Sequence, residues 1–462
     1  MGRMKRIAII GGGVAGVAAA YELGQLTRQG NHAQAVLFES SARLGGIVET
    51  VREGEFVIEC GPDAWVTEKP WARELAEELG LGSELMPSND DARKTYVLIE
   101  NRLLAMPDGM RMMVPRDLDA LDASDLFSAE AKQAYRNEVT RAEELKSRAP
   151  ASDESVAEFV KRHFGEEVVE KIGAPLLSGV FGGDAGRLSV QAVMAPFVAM
   201  EREHGSLIAA LQARRSLAAD SVFTTLRSGM ETLVNRMVAA VPPDWIRLND
   251  AARFLSYDEE GWLVGTTHEV ERFDAVLMAA PVDVAQSLIR PVDERMAELM
   301  QMEASSAVVV GFGFPDSGRF SVPPGFGFLV PPESGSLLLA CTFVDQKFRH
   351  RVPEGGRLVR AFFGGAAAER LIPCGNDEIA AIARLELARI LGPIPVPQVS
   401  VVRRWPRSLP LYGVGHLERM AELEHLAKKL KGLWLLGNGY RGVGVPDLVR
   451  DARWAAQAAI AG

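Results

Sequence analysis

Three rhythms of apolar and polar residues run along this chain. At the start, residues 5–10 form an apolar run ending in "IAII". A helical periodicity follows over 14–29, then a second apolar run, "AVLFE", at 35–39. Short continuous apolar runs predict buried strands, and the 3.6-residue rhythm between them predicts a helix. From about 108 to 205 the pattern is helical, with candidate helices at 128–148, 154–164, 166–178 and 190–204. Ser152 and Ser155, with acids close by, mark the start of the second. Between 245 and 280 short β-type runs dominate and end in "AVLMAAP"; between 305 and 365 come "AVVVGFGF", "SLLLACTFV" and "RLVRAFFGG". A helix at 376–391, a strand at 398–405, an amphipathic helix near 415–430, the strand "LWLLG" and a helix from about 446 close the chain.

The two ends share one pattern. A strand–helix–strand start and a strand–helix finish belong to one α/β layer, with antiparallel-looking strands and helices between them. The expected class is α/β: a Rossmann-like dinucleotide domain built from separated segments, an α+β substrate domain and a helical insert. The segments expected in the first are 1–90, 221–290 and 406–462, and in the second 91–107, 206–220 and 291–405. The insert is 108–205.

Composition narrows the function. The chain has 462 residues, 47% apolar and 24% charged, which suits a soluble globular protein. Its net charge of -10 leaves no basic excess to neutralise phosphates along a nucleic acid, so no nucleic-acid partner is expected. The three cysteines, Cys60, Cys341 and Cys374, form no CxxC pair, and the seven histidines show no ligand spacing. Neither a disulfide framework nor a metal site is expected, and a reducing cytoplasm is the expected home. No apolar stretch is long enough to span a bilayer.

The chemistry lies in the glycines. Gly11, Gly13 and Gly16 form GxGxxG between the first strand and first helix, so a pyrophosphate can meet the helix start at Val14 and Ala15. Glu39, followed by Ser40, ends the second strand, where an acid accepts ribose hydroxyls and favours FAD or NAD over NADP. "RLGG" at 43–46 decides between those two. Arg43 can offset pyrophosphate charge, and Leu44, Gly45 and Gly46 bring backbone along a cofactor that stays bound. "ECGPDAW" at 59–65, with Gly61, Pro62 and Asp63, adds a turn where a flavin ring can rest. In "GNGYRGVGVPD", Gly437 and Asn438 end a strand. Gly442, Gly444 and Val445 then carry backbone towards a ligand at the last helix. Two such ends point to FAD.

These stretches, with "FESSARLGGIVET", "GPDAWVTEKP" and "SGVFGGDAGRLSV", resemble the flavin-dependent porphyrinogen oxidases of haem synthesis, within the amine-oxidase-like flavoproteins. The likeness runs over nearly the whole length. It implies noncovalent FAD bound by Gly11, Gly13, Gly16, Glu39, Arg43, Gly45 and Gly46, with Gly437, Asn438, Gly444 and Val445 completing the site. It also implies a substrate lying between the loop at Gly179 and the strand carrying Phe362. One departure stands out. Many protoporphyrinogen oxidases carry an arginine that pairs with a propionate just before an aromatic-led strand; here "RKTYVL" puts Thr95 there, with Arg93 and Lys94 offset.

The resemblance also implies partners: a porphyrinogen, molecular oxygen, a membrane surface and the next enzyme of the haem pathway. "NRLLAMPDGMRMMVPR" at 101–116 reads as an apolar, basic-edged lip suited to anionic lipid, or else as a core-packing loop. No catalytic acid or base is assigned, because hydride transfer to flavin needs none. Apolar runs such as "APLLSGVF", "GFGFLVP" and "LVRAFFGG" favour protoporphyrinogen, with two propionates, over coproporphyrinogen, with four. An amine oxidase, a carotenoid desaturase and a dinucleotide-binding module without catalysis stay open as alternatives.

Overall fold

The computed structural model describes residues 4–213 and 221–461. The first apolar run becomes the strand Lys5–Ile10, central in a five-stranded parallel sheet. Its neighbours are Ala33–Phe38 and Ala275–Met278, with Ile246–Arg247 and Leu433–Leu435 at the edges. A parallel sheet is covered on both faces, which is why these runs are continuously apolar. One face carries the helix Val14–Arg28, packed on the last helix, Val445–Ala461. Ala18, Ala19, Ala20, Ala452, Ala455 and Ala456 are buried there, and such small side chains let two helices approach closely. The other face is covered by Val282–Ile289, His416–Ala427 and a three-stranded antiparallel sheet.

The second layer is a seven-stranded mixed sheet. In order, its strands are Val399–Pro410, Ala304–Phe314, Arg357–Gly364, Ala340–Phe343, Gly327–Leu329, Thr95–Ile99 and Arg102–Ala105. One face buries Val310, Phe312, Val359, Ala361 and Phe363 with Ile379, Ala383 and Leu387 of the helix Asn376–Leu391. The opposite face is less covered and holds the candidate site.

The helical insert has its own core, including Tyr135, Phe159, Phe164 and Leu177. Ser155 caps its helix Val156–Phe164 in a reciprocal box with Glu158, as the sequence expects of a helix start. Several expected helices are broken. The run 190–204 divides at Met194, before Pro196, which cannot supply the N–H a continuous helix needs. The run 166–178 holds a wider turn over Val169–Gly173 before Ala174–Phe181. The helix Leu207–Ala213, expected with the substrate segments, instead buries Leu207, Ile208 and Leu211 in the insert's core. The rest of that segment, 214–220, lies outside the described residues.

The apolar lip at 101–116 is largely absorbed into this core. Met113 and Val114 are fully buried, and Leu104, Met106, Met110 and Met112 pack on the same cluster. Among the described residues no helix is long and apolar enough to cross a membrane.

Candidate functional site

The phosphate loop has the geometry that its glycines imply. A Cβ at Gly11 would meet the Ala279 carbonyl oxygen at 2.6 Å, and one at Gly16 would meet the Gly11 oxygen at 1.9 Å. Both are there for close packing of strand and helix. Gly13 differs: a Cβ there would meet nothing within 4 Å among the described residues. It borders open space at the start of Val14–Arg28, a helix with no side-chain cap and no acid in its first turn. The helix start at Val14 and Ala15 therefore presents unpaired N–H groups and a positive dipole end to an anion.

The RLGG loop lies over this loop. Gly45 donates to the Gly12 carbonyl at 2.8 Å, and a Cβ on Gly46 would stand 3.2 Å from the Gly13 Cα. Leu44 and Glu39 flank Gly12 so closely that a Cβ there would overlap them. Glu39 accepts the Gly12 N–H at 2.7 Å and the Ser41 N–H at 2.8 Å, while the Ser40 hydroxyl donates to it at 3.2 Å. This is a carboxylate engaged with its own loops rather than one reaching outward. Arg43 likewise turns inward, donating to the carbonyls of Gly46, Leu44 and Val48, with Glu49 at 3.6 Å. Arg403 holds Glu49 from the other sheet at 2.7 Å, and keeps its carboxyl below the usual range.

The GPD turn is pinned to the seven-stranded sheet. Trp405 donates to the Cys60 carbonyl at 2.6 Å, and Arg360 donates to that of Gly61. The half-buried Pro62 leads to Asp63, whose backbone carbonyl accepts the Thr225 hydroxyl at 2.7 Å. The Asp63 carboxylate takes Lys347 through both oxygens at 3.0 Å and has Arg360 at 3.3 Å. Burial alone would raise the Asp63 pKa, but Lys347 and Arg360 outweigh it and hold it lowered. Behind the turn, Glu59 and Arg351 form a fully buried pair at 2.8 Å. Sequence reasoning missed Lys347, Arg351, Arg360 and Trp405. The available signal was Arg360 in "RLVRAFFGG": a cation two residues before Phe362, hence on the same face of the strand.

The closing loop answers to the protein as much as to a ligand. A Cβ on Gly439 would strike Val282 at 2.0 Å, and one on Gly442 would meet the Asp447 carboxyl at 2.7 Å. Gly437, with φ at 119°, is the open one. Asn438 donates its side-chain amide to the Ser408 carbonyl at 2.9 Å, and its own carbonyl accepts the Tyr412 hydroxyl at 2.6 Å. That hydroxyl also accepts the Gly442 N–H at 3.0 Å. The Tyr412 ring stacks on His416, centroids 3.9 Å apart, and His416 Nε2 lies 3.0 Å from the Tyr440 carbonyl. Burial lowers the His416 pKa to about 4, so the neutral ring donates this bond. Gly444 and the buried Val445 begin the last helix, whose Asp447 takes Lys69 at 2.6 Å.

The substrate-side residues share a sheet face. Strand register places Thr95 beside Gly327, Gly327 beside Thr342 and Thr342 beside Arg360. In the next row on that face stand Val97, Leu329, Ala340 and Phe362. Phe362 is half-buried, and the Arg360 guanidinium lies 4.9 Å from its ring centre. Phe362 is therefore partly open on this face and not part of the sheet's packed core. Gly179 is exposed on Ala174–Phe181 with free space where a side chain would stand. Arg93 and Lys94 are exposed on the turn before their strand, so Thr95 alone of the three joins that face. Trp434 packs on the dinucleotide core and Tyr440 is buried, so neither forms a wall of an aromatic cage.

Residues 14–460 match the family described as flavin containing amine oxidoreductase. The chain is 30% identical to a coproporphyrinogen III oxidase of Bacillus subtilis, covering 99% of this chain and 98% of that protein. It is 24% identical to a protoporphyrinogen oxidase of Arabidopsis thaliana, covering 96% and 91%. Among solved structures, one from Exiguobacterium, provisionally assigned as a protoporphyrinogen oxidase, superimposes with a TM-score of 0.88 at 30% identity, covering 100% and 99%. Cyclohexylamine oxidase from Brevibacterium oxydans shares the fold at a TM-score of 0.73 and 18% identity. The open space at Gly13, the uncapped helix start and the open Gly437 fit a long dinucleotide running from the phosphate loop to the sheet face. The chain belongs to the flavin containing amine oxidoreductase family, and is a flavin-dependent oxidoreductase.

Proposed function

We propose that the chain oxidises a porphyrinogen of haem synthesis, and that this porphyrinogen is coproporphyrinogen III, yielding coproporphyrin III. The observation that carries the reading is near-full-length likeness to relatives named for that reaction. They include those of Bacillus subtilis and Mycobacterium tuberculosis, each 30% identical. This replaces the preference for protoporphyrinogen drawn from apolar runs. Most side chains behind that preference are core: Leu177, Phe328, Val330 and Phe363 are all fully buried. They say nothing about what a substrate would meet, whereas Phe362 is only half-buried.

FAD, when bound, supplies acceptance of a hydride from a meso C–H bond. The chain's own part is placement. Phe362, Leu329 and Ala340 offer an apolar wall to a flat macrocycle, and Thr95 and Thr342 add hydroxyls along one edge. Lys347 and Arg360 hold the Asp63 pKa lowered, so its carboxylate is a poor acceptor for a released proton at neutral pH. The pyrrole N–H proton released in each oxidation accordingly leaves to solvent. Molecular oxygen as acceptor, with hydrogen peroxide formed, and handover of the porphyrin to the next enzyme of the pathway belong to the same reading.

Turnover of the two porphyrinogens, side by side and followed by porphyrin fluorescence, tests it. The expected result is a kcat/KM at least tenfold higher for coproporphyrinogen III, or ~1.4 kcal/mol in transition-state stabilisation. A reversed ratio would assign the chain to protoporphyrinogen. Turnover of amines and of neither porphyrinogen would remove the reading altogether.

A further inference from the structure

The groups behind the GPD turn do not balance in charge. Arg351, Arg360 and Lys347 face Glu59 and Asp63: three cations and two anions, with side-chain exposures of 1, 2, 12, 3 and 15% respectively. Glu59 is committed to Arg351, the Thr50 hydroxyl and the Met230 N–H. Among the described residues Asp63 alone therefore serves both Lys347 and Arg360, and one positive charge is left over. The Nε of Arg360 is buried and has no hydrogen-bond partner among the described residues. A buried uncompensated charge is costly, and in a chain of net charge -10 it is not a consequence of general basicity.

Its position is specific. Arg360 belongs to the sheet row that borders the cleft, beside Thr342 and ahead of Phe362. It also holds the Gly61 carbonyl of the turn. That turn packs against the RLGG loop, since a Cβ on Gly61 would overlap the Ile47 carbonyl, and the RLGG loop packs against Gly13. The surplus charge thus lies where the cofactor cleft and the substrate wall meet. The FAD pyrophosphate belongs at Gly13 and the helix start, so it does not supply the missing anion.

We infer that the Lys347–Asp63–Arg360 cluster is an electrostatic seat for the cofactor's ring, its surplus positive charge countering the negative charge the ring gains on reduction. The inference rests on FAD binding and not on the identity of the porphyrinogen. In the reductive half, a substrate C–H bond breaks and both its electrons and its proton go to the ring, which gains one negative charge. In the oxidative half, dioxygen takes those two electrons and, with the ring's proton and one from solvent, leaves as hydrogen peroxide. The cluster stabilises the charged state between the halves, and so raises the two-electron potential. Lys347 and Arg360 are positioning residues in this scheme.

The test is the midpoint potential of bound FAD, with sulfite affinity as a second readout that needs no substrate. Arg360→Gln and Lys347→Met should each lower the equilibrium for reduction at least tenfold, about 30 mV for a two-electron couple. Each should weaken sulfite binding in parallel, and Arg360→Lys should restore most of the loss. Should Arg360→Gln fail to fold, Lys347→Met carries the test. In wild-type protein the reduced flavin should have the anionic absorption spectrum at neutral pH, and the neutral form there would overturn the proposal. Unchanged potentials with a raised KM for porphyrinogen would also overturn it and make the cluster a seat for a substrate carboxylate. Unchanged potentials and KM would leave it a structural ion cluster. Failure to bind FAD at all would instead remove the cofactor assignment.

Discussion

At the scale of single residues, the most informative feature is what a glycine faces. Gly11 and Gly16 face the protein's own backbone, so side chains there would disrupt the strand–helix turn whether or not a ligand exists. Gly13 faces open space, so Gly13→Val should leave the chain folded while placing two methyl groups where the pyrophosphate belongs. Far-ultraviolet circular dichroism should match wild type, and flavin content should fall to near zero. A variant that keeps stoichiometric FAD would show that the phosphates lie elsewhere. The opposite kind of residue is Arg351, whose guanidinium is spent on Glu59, the Thr225 hydroxyl and the Leu226 carbonyl. Burial already raises the Glu59 pKa, even against the lowering effect of Arg351. Arg351→Met should therefore cost ~3–5 kcal/mol, the range for leaving one partner of a buried pair alone. Urea denaturation would measure it, and a loss below ~1 kcal/mol would mean that Glu59 takes up a proton without penalty.

At the scale of elements, the insert shows how one polar cluster can join several helices. His163, with no exposed side-chain area, lies between Glu138 at 3.1 Å and Glu201 at 3.0 Å. Glu138 also accepts the Ser206 hydroxyl at 2.6 Å and the Leu207 N–H at 2.5 Å, which fixes the start of the next helix. Burial lowers the His163 pKa, but the bonds to Glu138 and Glu201 more than reverse this, and the net shift is upward. A raised folded-state pKa means that the histidine's contribution is fully present below about pH 6.5 and is lost as pH rises through the folded value. The stability gap between wild type and His163→Gln should then narrow on going from mildly acidic to alkaline pH, from a starting size of about 1.5–3 kcal/mol. A gap that widens with pH would mean that His163 is neutral in the fold. None of this cluster was legible in the sequence, because Glu138, His163 and Glu201 are each an ordinary helical residue until tertiary packing brings them together. The glycine loops were legible because their spacing is local and tied to the neighbouring strand and helix. Phe362 shows the intermediate case. Period-two alternation fixes which residues share its face, and so links it to Arg360, but cannot say which face is core. The structure leaves Phe362 half-buried on the face that carries Arg360.

At the scale of the whole molecule, the two sheets are joined by ion pairs converging on the cleft: Glu59 with Arg351, Asp63 with Lys347 and Arg360, and Glu49 with Arg403. Asp63 lies in the GPD turn, Glu59 at the end of the strand before it and Glu49 just past the RLGG loop, while the seven-stranded sheet and the segments leading into it carry the cations. The sequence assigns FAD to these same loops, and on that assignment cofactor binding and the joining of the sheets are coupled. A ligand that binds only the folded chain stabilises it by RT ln(1 + [L]/Kd), about 2.7 kcal/mol at a hundredfold excess over Kd. Removing FAD should therefore lower Tm, and adding FAD back at rising concentration should raise it along that logarithmic curve. The sheets should also respond together, because the cofactor spans loops fixed to both. Tryptophan fluorescence reports on both, since Trp405 lies on the seven-stranded sheet and Trp434 on the parallel one. Variants that keep only Trp405 or only Trp434 of the seven tryptophans separate the two signals, and in the FAD-bound protein both should give the same midpoint. If the Trp434 signal shifts with FAD while that of Trp405 does not, the cofactor belongs to the parallel sheet alone, and the ion pairs do not couple the layers.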